Sequence, residues 1–304
     1  MSQAAPIDFP VSTPSIWRHQ THVYEKLHAL ARLCFGVQRS TLPVKLRTNS
    51  LLIGPTGVGK THLVGKIAAE HDAEYLAVTL SNWIILGGRD RSSQTTWVAI
   101  LEFLRRHHNR PVILFIDELE KAISHRHQDT WSCHLRAEVF QLLDRKIPRD
   151  LKDADGNVIG PSVVAAAQDR LENHTFIVAS ATFQDIWERS SKSPIGFQGE
   201  IAESPALTPD LLARELPREI VNRFRHEYLI LPELKHADYV AMLELTSNRV
   251  PPYLRQKFLQ LGYEKIPAAI SMRQGCRFIE DLMTDVLLTE RASIQLSDLD
   301  PGIN

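Results

Sequence analysis

No stretch of this chain is long and apolar enough to span a bilayer, and its first residues lack the charged start and apolar core of a secretory signal. A cytoplasmic protein with no membrane partner is the expectation. Cysteine is scarce. Cys34, Cys133 and Cys276 lie far apart with no C-x-x-C pair, which excludes a disulfide framework and a zinc module and suits a reducing compartment. An excess of charge of one sign is also missing: 35 basic against 36 acidic residues give a formal net charge of −1, so no global basic field draws nucleic acid. Repeats and low-complexity tracts are absent. What is present is a globular composition, 43% hydrophobic and 23% charged over 304 residues, with room for one large domain or two ordinary ones.

The most informative stretch is Gly54-Pro55-Thr56-Gly57-Val58-Gly59-Lys60-Thr61, which fits G-x-x-x-x-G-K-[ST] in full. Ser50–Ile53 before it reads as a short buried strand, and Thr61–Glu70 after it as a helix with Leu63, Val64, Ile67 and Ala68 apolar. A strand, a glycine-rich turn and a helix N-terminus make a phosphate cradle. The glycines let backbone N–H groups approach the anion, and the helix dipole favours it. Lys60 is placed to reach the β- and γ-phosphates of a nucleoside triphosphate, and the Thr61 hydroxyl to ligand Mg²⁺.

Four more strands are expected. Glu74–Thr79 alternates, Pro111–Ile116 and Thr175–Thr182 are continuous apolar runs of the kind buried on both faces of a parallel sheet, and Tyr228–Leu231 is short. The run at Pro111–Ile116 ends in Asp117-Glu118, at the usual ligand edge of an α/β sheet. Asp117 is placed to hold the Mg²⁺ shell and Glu118 to orient or deprotonate the attacking water. Thr182 ends its strand where it can touch the γ-phosphate or that water.

Between these strands, helices are expected near residues 16–34, 95–107 and 135–146, and residues 153–157 read as a hairpin turn. Trp83 and Ile84 either pack under the sheet or belong to a functional loop. His125, His127 and His134 match no standard metal spacing. Residues 190–209 read as a long Ser-, Pro- and Gly-rich loop with an apolar tip at Ile195-Gly196-Phe197. Beyond Glu233 strands give way to helical segments near 237–245, 252–261 and 273–288, the last with Arg273 and Arg277 at i, i+4 on one face. The expected organisation is a loose lead-in over 1–15, an α/β nucleotide-binding domain over 16–231 and a small all-helical lid over 232–304.

The order of these pieces resembles the AAA+ ATPases, and among them the Clp/Hsp100 group with its ClpX-type and HslU-type unfoldases. Leu114–Lys121 is similar to that group's Walker B segment, Phe176–Thr182 to its sensor 1 strand, Arg218–Arg223 to its arginine-finger segment and Ser271–Arg273 to the start of its sensor 2 helix. The resemblance implies a five-stranded parallel sheet with flanking helices and a helical lid. It implies an ATP hydrolase that uses Mg²⁺ and works as a homo-oligomeric, hexameric ring on a protein substrate. Arg223 would face the next subunit's nucleotide, Arg273 would read the γ-phosphate in cis, and Ile16 and Trp17 would border the adenine or fill the core. Two features depart from the group: Thr182 stands where Asn is usual, and the pore-loop position is Ile85-Leu86-Gly87, without the usual aromatic. Ile195-Gly196-Phe197 matches the tripeptide with which ClpX-type proteins dock a peptidase ring, and could also pack on its own domain. The alternative function is a nucleic-acid-associated switch, with Arg89 and Arg91 lining the channel.

Overall fold

Five runs rich in Leu, Ile, Val and Phe build one sheet: β1 (Ser50–Ile53), β2 (Glu74–Thr79), β3 (Val112–Asp117), β4 (Thr175–Ala181) and β5 (Leu229–Ile230). The structure, a computed structural model, describes residues 16–37, 42–44, 46–86, 94–123, 130–149, 151–153, 155–184, 216–225 and 228–298. All strand pairs are parallel, in the order β2-β3-β4-β1-β5. The register sets Ile53 opposite Ala181 on one side and Ile230 on the other, and Thr79 opposite Asp117. Because side chains alternate along a strand, each central strand feeds two cores. Leu51, Ile53, Leu114, Ile116, Ile177 and Ala179 face one cluster, and Leu52, Ile113, Phe115, Phe176 and Val178 face the other. Burial on both faces is why β1, β3 and β4 read as unbroken apolar runs rather than alternating ones.

Helices α1 (Thr21–Gly36) and α2 (Lys60–Glu70) cover the second face, through Val23, Leu27, Leu63 and Ile67. The first face is covered by α3 (Thr96–Arg106), α5 (Thr130–Leu143) and α6 (Pro161–Asn173), with the single turn α4 (Glu120–Ile123) between β3 and α5. A short α7 (Arg218–Val221) leads to β5. Arg145, at a left-handed φ of 57°, joins the layers. Its guanidinium donates to Leu171 O at 2.6 Å, Thr175 O at 2.8 Å and Asn49 Oδ1 at 2.9 Å.

Three helices follow β5: α8 (His236–Ser247), α9 (Pro252–Ser271) and α10 (Arg277–Asp298). Tyr239, Met242, Phe258, Phe278 and Leu282 from this part bury into the same cluster as α1 and α2. Each large apolar side chain buried there contributes about 1.5–3 kcal/mol.

Several elements differ from the sequence expectation. Helix α6 had no counterpart in it. Helix α9 runs ten residues past the expected end at Leu261 and passes through Pro267. The last helix opens at Arg277, not at Arg273, so the two arginines do not share a helical face. Arg273 instead sits in the preceding turn at φ 52°. The expected hairpin is present, closed by an antiparallel bridge between Lys152 and Val158 and by Asn157 N donating to Asp153 Oδ1 at 2.8 Å.

Candidate nucleotide-binding site

The phosphate loop leaves β1 at the carboxyl edge of the sheet, where Gly54 N donates to Ala181 O at 3.2 Å. Gly57 and Gly59 adopt φ of 85° and 86°, a conformation that side chains disfavour. They are also hemmed in: a Cβ on Gly57 would stand 2.6 Å from Gln274 O, and one on Gly59 would collide with Gln20 Nε2. Val58 is buried, and its carbonyl accepts from Gln20 Nε2 at 3.0 Å and His19 Nε2 at 3.2 Å. The loop is therefore held from behind by the 3-10 turn Arg18–Gln20. Gly59 caps α2 and no side chain bonds the cap, so the first amides of the helix remain for an anion. Thr56 and Thr61 are exposed and Pro55 half-buried.

Lys60 lies along this loop, its Nζ donating to Gly54 O at 2.7 Å and Pro55 O at 3.0 Å. Burial lowers its pKa, and Asp117 and Glu120 oppose that shift. Asp117 ends β3 and accepts from the Ser180 hydroxyl on the neighbouring strand and from Glu118 N at 3.0 Å. Glu118 turns off the strand at φ 60°, and its carboxylate accepts from the Ser81 hydroxyl just beyond β2. Thr182 N, at the end of β4, donates to Glu120 Oε2 at 3.3 Å. Burial raises the pKa of Glu120, and the Lys60 charge pulls it back. Glu120 and Ser81 went unread as site residues. The spacing of a third acid two positions beyond Asp117-Glu118 was the available sign for Glu120; a single serine after a strand gives none.

These residues suit Mg²⁺-ATP. A glycine loop, an uncapped helix N-terminus and a lysine supply donors for phosphates, while a hydroxyl and an aspartate offer hard oxygen ligands for Mg²⁺. Residues 50–189 match the family described as ATPase family associated with various cellular activities (AAA). This stretch is an AAA ATPase domain.

Human peroxisomal ATPase PEX1 is 35% identical over 94 residues, 30% of this chain and 7% of that protein. ATPase family gene 2 protein homolog B is 32% identical over 123 residues in human and 34% over 126 in cattle, in each case 40% of this chain and 16% of the relative. The chain thus spans a small part of the length of the relatives it matches.

Outside the AAA domain match, the turn before α10 lies directly on the phosphate loop. Cys276 N donates to Gly57 O at 2.6 Å, and a Cβ on Gly275, at φ 66°, would collide with Gly57 O. Arg273 enters this turn and pairs with Glu233 at 3.2 Å, with 57% of its side chain exposed. It is thus beside the loop through its backbone, while its guanidinium faces Glu233. Ile16 and Trp17 pack half-buried against the cluster that holds Val58 and Leu63.

Arg223 lies elsewhere. Its carbonyl accepts from Asn49 Nδ2 at 3.2 Å, which fixes it at the amino edge of β1. The phosphate loop starts at the carboxyl edge, roughly 16 Å away by the rise of an extended strand. The Arg223 guanidinium pairs with Asp144 at 3.0 Å and lies 4.1 Å over the Phe140 ring, its side chain 22% exposed. It is not brought to its own chain's phosphate loop.

Beyond β2, Trp83 is buried, 3% exposed, while Ile84 is 40% exposed. Ile85 and Leu86 are half-buried against the core. Gly87, Arg89, Arg91, His125, His127 and the tripeptide Ile195-Gly196-Phe197 lie outside the described residues. Among the described residues no group of His, Cys, Asp or Glu forms a metal site and no helix is long and apolar enough to cross a membrane.

Proposed function

We propose that this chain is a cytoplasmic AAA+ ATPase of the Clp/Hsp100 type that assembles into a homo-oligomeric, hexameric ring and couples Mg²⁺-ATP hydrolysis to the remodelling of a protein partner. The α/β domain over 16–231 and a helical lid over 232–304 enclose the nucleotide in this reading. The observation that carries it is the separation of Arg223 from its own phosphate loop by the length of β1. A phosphoryl-transfer site needs a cation at the developing charge, and an arginine on the far edge could reach such a site in a neighbour but not in its own chain.

ATP and Mg²⁺ supply the scissile phosphoanhydride and the divalent charge. Lys60 leaves the Gly54 and Pro55 carbonyls to neutralise phosphate oxygens, Thr61 and Asp117 offer metal ligands, and Glu118 takes a proton from the attacking water. Thr182 orients that water with its hydroxyl. Arg273 reads the γ-phosphate from the turn that already touches Gly57, which requires release from Glu233. Ile16 and Trp17 border the base. The exposed Ile84 and the adjoining Ile85-Leu86-Gly87 form the apolar loop that engages substrate. An apolar loop and a balanced net charge favour a protein partner over nucleic acid. Both relatives carry the word ATPase in their names, in keeping with hydrolysis.

The test uses Glu118→Gln, which keeps ATP in place. Sedimentation at saturating ATP should show a multi-subunit ring, and protein retained on the trap should be released when ADP replaces ATP. A monomer at all ATP concentrations overturns the ring, and retention of nucleic acid in place of protein favours the switch function.

A further inference from the structure

Among the described residues, the Glu138 carboxylate is the charged group most at odds with its surroundings. It lies in the middle of α5, 7% exposed, among the apolar side chains that α5 packs under the sheet. A buried carboxylate is costly unless hydrogen bonds replace its water. Here both oxygens are satisfied, and both donors come from one short loop: Trp83 Nε1 donates to Oε2 at 2.9 Å and Leu86 N to Oε1 at 2.6 Å. Trp83 is itself pinned edge-on against Trp97 at 6.4 Å, and the Ile84 backbone exchanges two bonds with Thr96 at the start of α3. The loop after β2 is thus fastened at both ends, with Ile84 exposed between the fastenings.

The same helix holds the arginine. Phe140 supplies the ring under Arg223, and Asp144, the first residue after α5, supplies its ion pair. Asp144 N still donates to Phe140 O at 2.8 Å, so the helical bonding reaches it. Asp144 lies six positions after Glu138, about 9 Å of helix. At its other end the loop begins two residues after Ser81, the partner of Glu118.

We propose that Glu138 is a positioning residue that locks the loop after β2 onto α5, so that this loop and Arg223 move as one body. The functional meaning of that coupling rests on the ring reading above; the coupling itself is testable without it. A carboxylate is required because it accepts from both donors. A glutamine keeps one acceptor and turns an NH₂ group toward the other donor, and an alanine keeps neither.

The experiment is hydrogen exchange on the full chain, with peptides covering 83–86, 218–225 and the central strands, in wild type, Glu138→Gln and Glu138→Ala. Exchange at 83–86 should rise roughly tenfold or more in Glu138→Ala and less in Glu138→Gln, as loss of charge-assisted bonds predicts. Exchange at 218–225 should rise with it while β1, β3 and β4 stay protected, and kcat should fall with KM for ATP unchanged. Unchanged exchange at 83–86, or a rise there with 218–225 unaffected, overturns the proposal. A rise spread evenly over the strands also overturns it, since that is the mark of a residue needed only for folding. Glu138→Gln keeps the test decisive if Glu138→Ala does not fold. Wild-type turnover in Arg223→Ala would refute the arginine-finger role and leave the exchange result standing on its own.

Discussion

Glu118 faces Ser81, so it has to turn before it can face an attacking water. Glu118→Gln should keep ATP affinity and lose about 10²–10⁴-fold in hydrolysis, the usual range for removal of a general base, as read by phosphate release beside equilibrium nucleotide binding. Gly275 is the second residue on which the site leans. Gly275→Ala places a Cβ against Gly57 O at a φ of 66° and should cost about 1–3 kcal/mol in denaturant unfolding and weaken ATP binding with it. Cys276 is the third: burial pushes its thiol up to about 12 from 9.0. The folded state then keeps a proton that the unfolded chain releases, so this stability is intact below pH 9.0 and is lost as pH rises toward about 12. Cys276→Ser should flatten the fall in unfolding free energy above pH 9.0. Gly54–Thr61, Asp117 and Glu118 were legible in the sequence because their chemistry demands fixed residue types at fixed spacing. Ser81, Glu120 and Glu138 were not, since each is one polar residue whose partner lies far away in the chain.

The five strands were legible as elements because burial on both faces leaves an apolar run that no amphipathic helix shares. Helix α6 lay outside the sequence expectation, although Pro161 stands at its first turn and Val163, Val164, Ala167 and Leu171 follow at helical spacing. Helix α9 continues past the expected Leu261 and through Pro267, although proline in a helix interior lacks an N–H and clashes with the preceding turn. Burial of Ile266 and Ala269 on either side of Pro267 overrides that cost. Pro267→Ala should accordingly stabilise the chain by about 1–2 kcal/mol, after allowance for the freer unfolded chain, as measured by the midpoint of denaturant unfolding. The i, i+4 spacing of Arg273 and Arg277 fits a helical face as well as it fits a turn followed by a helix. The left-handed φ at Arg273 and the close approach of Gly275 to Gly57 are tertiary facts.

At the scale of the whole molecule, the sheet separates the phosphate loop from Arg223. Its carboxyl edge carries the phosphate loop, Asp117, Glu118 and Thr182, and its amino edge carries Arg223 on Asp144 and Phe140. In the ring proposed above, the amino edge of one copy would meet the carboxyl edge of the next, a heterologous interface that repeats until the ring closes. Each site would then be completed only by assembly. The most direct measurement mixes two inactive variants. Glu118→Gln has a dead site and an intact arginine; Arg223→Ala has an intact site and no arginine. Random mixing in equal amounts should restore ATPase activity toward roughly a quarter of wild type, the fraction of interfaces that pair a sound site with a sound arginine. A mixture that stays as inactive as its two components would contradict a site shared between subunits.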